Sequence, residues 1–123
     1  MLRALLLVGL GGAVGSMMRY AASLLVNRAV DHSFPVATFL VNITGCFLIG
    51  LLFGFGERHH WMQGDTWLVL ATGFCGGFTT FSAFALENVS LLGKGNSYSS
   101  ILYIALSVVV GIVLCRLGMS IMR

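Results

Sequence analysis

Three uncharged stretches, Pro35 to Gly56, Thr66 to Leu86 and Gly95 to Cys115, hold 22, 21 and 21 residues, and a helix needs about 20 apolar residues to cross a bilayer. A fourth, Ala4 to Met18, reaches that length if Arg19 is tolerated in the membrane and the span continues to Val26. Only 9% of the residues are charged, against roughly 25% in a soluble domain. Four spans, at about 4–27, 34–56, 66–91 and 97–121, use up nearly all of the chain. They predict one all-α integral membrane domain, residues 1–123. The apolar runs are continuous, which excludes a lipid-facing barrel, whose strands alternate apolar and polar residues. The short connecting loops cannot hold a soluble domain or a nucleotide-binding unit. Arg3 followed by an apolar run resembles a secretory signal, but no A-x-A-like cleavage site follows, and the run is taken as the first span.

The formal charge is +3, yet the charged residues sit at helix ends and form no basic stripe of the kind that binds nucleic acid. No nucleic-acid partner is expected; the bilayer is the partner. An even number of spans puts both termini on one side, with Arg3, Arg58, Arg116 and Arg123. The other side has Arg28 and Lys94, with Arg19 nearest to it. Lys and Arg near span ends set orientation, so a balance of four against three gives the insertion machinery almost no preference. Opposed copies could then pair as an antiparallel, dual-topology homodimer about a two-fold axis in the membrane plane. Four short helices are also few for enclosing a pathway.

Small residues four apart, Gly11 and Gly15, Gly50 and Gly54, Gly73 and Gly77, allow close helix packing, although chance matches are expected among 16 glycines. The run Gly9 to Gly15 misses the dinucleotide-binding register by one residue and opens no βαβ unit. Cys46, Cys75 and Cys115 fall inside spans without metal-ligand spacing and are read as packing residues. His59 and His60 are adjacent, lack ligand spacing and are read as solvated. Asp31 and Ser33 before Pro35, and Asp65 before Thr66, are helix-start signals.

Polar groups inside the spans need a reason, because at membrane depth they face protein or water. Thr38, Asn42 and Gly45 share one helical face. Asn42 there serves either as a ligand amide or as interhelical glue. The run Thr72-Gly73-Phe74-Cys75-Gly76-Gly77-Phe78-Thr79-Thr80-Phe81-Ser82 has three glycines and several hydroxyls, which hold a continuous helix poorly. A break in the third helix is expected at mid-membrane, with one stub ending near Gly76 and the next starting near Thr80. A stub end presents carbonyls to a cation, and a stub start presents N–H groups to an anion. The alternative is a glycine hinge for tight packing. Phe81 and Phe84 share a face just beyond, either packing or offering positive ring edges to an anion. Arg19 is either a vestibule charge or an anchor that snorkels to the headgroups. Glu87 lies one turn past Phe84 and would repel an anion unless donors surround it or it is protonated. Tyr103 and Ser107, four apart, could supply such donors or belong to an ordinary interhelical network.

With these residues in view, the sequence resembles the Fluc, or CrcB-like, family of small fluoride channels. The likeness runs through Gly11-Gly12-Ala13-Val14-Gly15 with Arg19-Tyr20, Asn42 with Gly45 and Gly50, and the Thr72 to Ser82 run. It implies a fluoride-selective passive channel in the bacterial inner (plasma) membrane. The implied assembly is an antiparallel homodimer with two pores, each lined by both subunits, and a structural Na+ on the two-fold axis, held by break carbonyls that correspond to Gly76 and Thr79. The family's pore phenylalanines fall on Phe81 and Phe84, its pore asparagine on Asn42, and its polar track on Ser82, Glu87, Tyr103 and Ser107. Its vestibule arginine falls on Arg19. Thr38 and Thr80 join the candidate pore set. One departure is Ala83, where members commonly carry Thr. No catalysis is implied: fluoride entering as neutral HF becomes trapped as the anion in a near-neutral cytoplasm, and the channel lets it out. Fluoride is small and tightly hydrated, so weak donors must replace its water along the way. The alternative function is a proton-coupled, small multidrug-type exporter, which needs a membrane carboxylate, usually in span one, where this chain has none. A non-transporting scaffold would leave the expected break unexplained.

Overall fold

The computed structural model describes residues 1–30 and 33–123; Asp31, one of the helix-start signals, lies outside the described residues. The described chain is all-helical, and four stretches are long and apolar enough to cross a membrane. α1 is Leu2–Ala29 and α2 is Val36–His59. The third stretch is composite: α3 (Asp65–Trp67), a π-helix (Leu68–Cys75), α4 (Gly76–Phe78) and α5 (Phe81–Gly93). α6 is Ser97–Met122.

The helix starts differ in detail from the sequence expectation. Pro35 occupies the N-cap of α2, which has no side-chain cap, so Ser33 does not perform that role. Asp65 is the first residue of α3 rather than its cap, and its carboxylate pairs with Arg3. This places an acid at a helix N-terminus, where the helix dipole favours it.

Two parallel helix pairs build the bundle. α1 runs alongside the π-helix and α4, from Arg3 on Asp65 at one end to Ser16 and Arg19 on Gly77 at the other. The contact is backbone against backbone. A side chain at Gly11 would strike the Val69 carbonyl, and one at Gly15 the Phe74 carbonyl; at Gly73 a Cβ would lie 2.8 Å from the Val8 carbonyl oxygen. In the second pair, a Cβ at Gly50 would strike the Cys115 carbonyl, and one at Gly118 would lie 2.5 Å from the Phe47 carbonyl oxygen. The three glycine pairs thus sit at helix–helix contacts, where lost side chains let dispersion act over a short distance.

The α2–α6 register is constant. Thr38 and Tyr103 meet on one carboxylate, Cys46 lies against Gly111, Gly50 against Cys115 and Gly54 against Met119, a difference of 65 positions in every case. Asn42 is therefore level with Ser107. Long apolar side chains such as Leu6, Leu10, Leu25, Ile101, Val109 and Ile112 point outward. In lipid this outward apolar surface carries no hydrophobic penalty, and the interior holds glycines, a few apolar side chains such as Ala37, Val41, Ala71 and Phe78, and the polar Thr38, Asn88 and Ser100.

Candidate functional site

Thr79 (φ −82°, ψ 158°) and Thr80 (φ −149°, ψ 121°) are extended between α4 and α5. Two extended residues remove several helical hydrogen bonds, and every freed backbone group needs a partner. The Thr79 N–H and its hydroxyl both donate to the Cys75 carbonyl, at 3.0 and 2.8 Å. The Thr80 N–H donates to Asn42 Oδ1 at 2.8 Å, and Asn42 Nδ2 donates back to the Thr80 carbonyl at 2.9 Å. Thr80 is also the N-cap of α5, its hydroxyl accepting from the Ala83 N–H at 3.3 Å and lying 3.3 Å from the Ser82 hydroxyl. At the end of α4, Arg19 Nε donates to the Gly77 carbonyl at 3.1 Å, with Ser16 at 3.5 Å from the same oxygen. A cation there complements the negative end of the helix.

The Asn42 amide ties α2 to the extended pair, the interhelical role that the sequence offered as one of its two readings. Arg19 is held on backbone through Nε, which ties α1 to the end of α4.

An open groove of about 370 Å³ runs beside the extended pair, lined by Asn42, Gly45, Cys46, Cys75, Gly76, Thr79, Thr80 and Phe81 among others. Among the described residues, the carbonyls of Gly76 and Thr79 accept no hydrogen bond. Carbonyl oxygens bordering a groove are hard, uncharged donors of the kind that suits a hard cation.

A second cluster surrounds Glu87. The Thr38 hydroxyl donates to Oε1 at 2.6 Å and the Tyr103 hydroxyl to Oε2 at 2.7 Å. Glu87 thus joins α2, α5 and α6, with one hydroxyl donor on each side-chain oxygen. Tyr103 is fully buried, and its ring lies 4.9 Å from that of Phe84, at 59°. Phe84 in turn lies 5.7 Å from Phe81. Phe84 therefore links the extended pair to the Glu87 cluster. Phe81, 79% exposed, projects from the surface. The Ser107 hydroxyl is buried with no hydrogen-bond partner, at the level of Asn42. Ser82 is exposed at the first turn of α5.

The sequence reading missed Asn88 and Ser100, which are 7% and 1% exposed. Ser100 Oγ donates to Asn88 Oδ1 and Asn88 Nδ2 donates to the Phe84 carbonyl, both at 2.9 Å. The adjacency of Asn88 to Glu87 and the three-residue spacing of Ser100 from Tyr103 were the available signals. The π-helix was missed as well; such turns are rare and concentrate at functional sites.

The chain matches the CrcB-like protein family, described as Camphor Resistance (CrcB), over residues 6–119. It is 43% identical to the fluoride-specific ion channel FluC of Azobacteroides pseudotrichonymphae, covering 96% of this chain and 94% of that protein. It is 46% identical to FluC of Methylobacillus flagellatus, over 96% and 93% of the two chains. It is 47% identical to FluC 2 of Rhodococcus jostii, over 92% and 93%. Four membrane-crossing helices and bacterial relatives of this kind make it a multi-pass inner-membrane protein. On the extent of the family match and the near-complete coverage of these relatives, the chain belongs to the CrcB family.

Proposed function

We propose that this protein is a fluoride channel: an ion channel, not an enzyme, through which fluoride leaves the cytoplasm passively. The relatives' shared name supports the ion. The observation that carries the reading is the junction of the extended Thr79–Thr80 pair with Asn42 on one side and the Phe81–Phe84 rings on the other. In this reading the pair interrupts the third span at mid-membrane, and two copies of opposite orientation bring their grooves together on a two-fold axis. The exposed Phe81 then enters a pathway completed by the other copy, which gives two pores per dimer.

Fluoride must exchange water for protein donors without meeting a full positive charge that would hold it. Asn42 offers its remaining N–H, Thr80 and Ser82 offer hydroxyls at the start of α5, and Phe81 and Phe84 offer ring edges. The Ser107 hydroxyl, buried and unpartnered, lies one helical turn from Tyr103 on the way to Glu87. Glu87, with both oxygens bound by hydroxyls, orients the donors of Thr38 and Tyr103. Arg19 fixes the end of α4 and supplies positive potential at the approach. The carbonyls of Gly76 and Thr79 would hold the structural Na+, whose positive charge would offset the negative ends of their dipoles. The exporter reading finds no support: among the described residues the one carboxyl group deep in the bundle, Glu87, already bridges three helices.

Reconstituted in liposomes, the protein should release trapped fluoride, and Phe81→Ile should slow that release by tenfold or more. Tags at either terminus should be found on both faces of the membrane. Uniform one-sided labelling, or full release from the Phe81→Ile variant, would overturn this reading.

A further inference from the structure

Among the thirteen residues of α5, only Asn88 and Leu91 are buried, while Phe81, Leu86, Val89 and Leu92 face outward. So lightly embedded a helix can rotate and slide unless something specific holds it. Two polar rungs to α6 do so, Glu87 to Tyr103 and Asn88 to Ser100, and their numbering falls on one helix as it rises on the other, as antiparallel neighbours require. One rung alone is a pivot. Two rungs fix both the rotation of α5 and its position along α6.

The Asn88 rung is also wired to Phe84. Nδ2 donates to the carbonyl of Phe84 one turn earlier, which locks the amide so that Oδ1 faces Ser100. Ser100 is 1% exposed, so the bond forms where water does not compete. Phe84 has its ring 4.9 Å from Tyr103, and that spacing is set by the axial position of α5.

We infer that Asn88 and Ser100 are positioning residues for the anion path: their buried hydrogen bond sets the register of α5 on α6 and so aims the edge of Phe84. The inference rests on the fluoride-channel reading. Neither residue touches the ion; both act through Phe84.

Asn88→Leu keeps the branched side-chain shape and removes the rung, and Ser100 can then bond a carbonyl in its own helix. Fluoride release from liposomes should fall about fivefold, the factor that one buried hydrogen bond carries. Ser100→Ala should produce the same loss, and Ser100→Thr, which keeps the hydroxyl, should restore most of the rate. In a Phe84→Met background, Asn88→Leu should cause no further loss, because no ring remains to be aimed. A 4-fluorophenylalanine at position 84 should give one 19F resonance in the parent, shifted or split by Asn88→Leu or Ser100→Ala. An unchanged resonance with parental release, or an equal loss in the Phe84→Met background, overturns the inference. Should the parent release no fluoride, the channel reading fails, and the 19F spectra alone decide whether Asn88 holds Phe84. If Asn88→Leu does not fold, Ser100→Ala carries the same comparisons.

Discussion

Asn42 pairs with the backbone of Thr80 through both halves of its amide, accepting from the N–H at 2.8 Å and donating to the carbonyl at 2.9 Å. The side chain imitates a peptide unit and completes the backbone bonding of a residue that belongs to no helix. Only Asn or Gln carries a donor and an acceptor in this arrangement, and Gln is one methylene longer.

Asn42→Asp should therefore damage more than its shape suggests. Aspartate keeps the acceptor but faces the Thr80 carbonyl with a second oxygen. A half-buried unmatched pair costs about 1–3 kcal/mol. The thermal midpoint in detergent should fall, and fluoride release should drop together with it, whereas Asn42→Leu should lose release while leaving two Thr80 groups unpaired.

Thr38 and Tyr103 act on the two oxygens of one carboxylate, so their effects should not add. Thr38→Val and Tyr103→Phe should each slow fluoride release several-fold. The double variant should differ from the sum by about 0.5–3 kcal/mol, the range for residues sharing a network. Release rates from the four proteins of this cycle give the coupling; additive losses would mean that Glu87 does not join them.

Glycine position should sort variants by what a Cβ would meet. Gly15→Ala drives a methyl into the Phe74 carbonyl and should destabilise by about 1–3 kcal/mol. Gly9→Ala meets nothing within 4 Å and should be neutral or mildly stabilising. Gly76→Ala also meets nothing within the protomer. If Gly76 borders the two-fold axis, that variant should shift the dimer–monomer balance without unfolding the protomer, as size-exclusion chromatography in detergent would register.

Sodium should stabilise the assembled protein by mass action, because an ion bound only by the native state adds RT ln(1 + [Na+]/Kd). Replacing Na+ with N-methylglucamine should lower the thermal midpoint, and refilling with Na+ should restore it. A midpoint indifferent to the cation would remove the carbonyls of Gly76 and Thr79 from that role.

The four apolar helices were legible because span length and charge depletion are set by the bilayer, and one chain displays both. Which polar residues meet was legible only along a single helix: the shared face of Thr38 and Asn42 is a spacing, but the meeting of Thr38 with Tyr103 on Glu87 depends on the α2–α6 register, which glycines at 50, 54 and 118 set through backbone contact, with Gly111 against the Cys46 side chain. Asn88 escaped notice because a lone amide near the end of a span looks like any interfacial polar residue until Ser100 is found against it. The π-helix carries no propensity signal of its own; Val69 and Phe74 enter it beside the glycine face of α1.

The most direct measurement places fluoride and chloride electrodes over the same proteoliposomes, with an ionophore removing the counter-charge. Fluoride should appear in the bath at once while chloride stays inside, and detergent should then release the chloride. Chloride escaping alongside fluoride, or fluoride retained until detergent is added, would contradict the account.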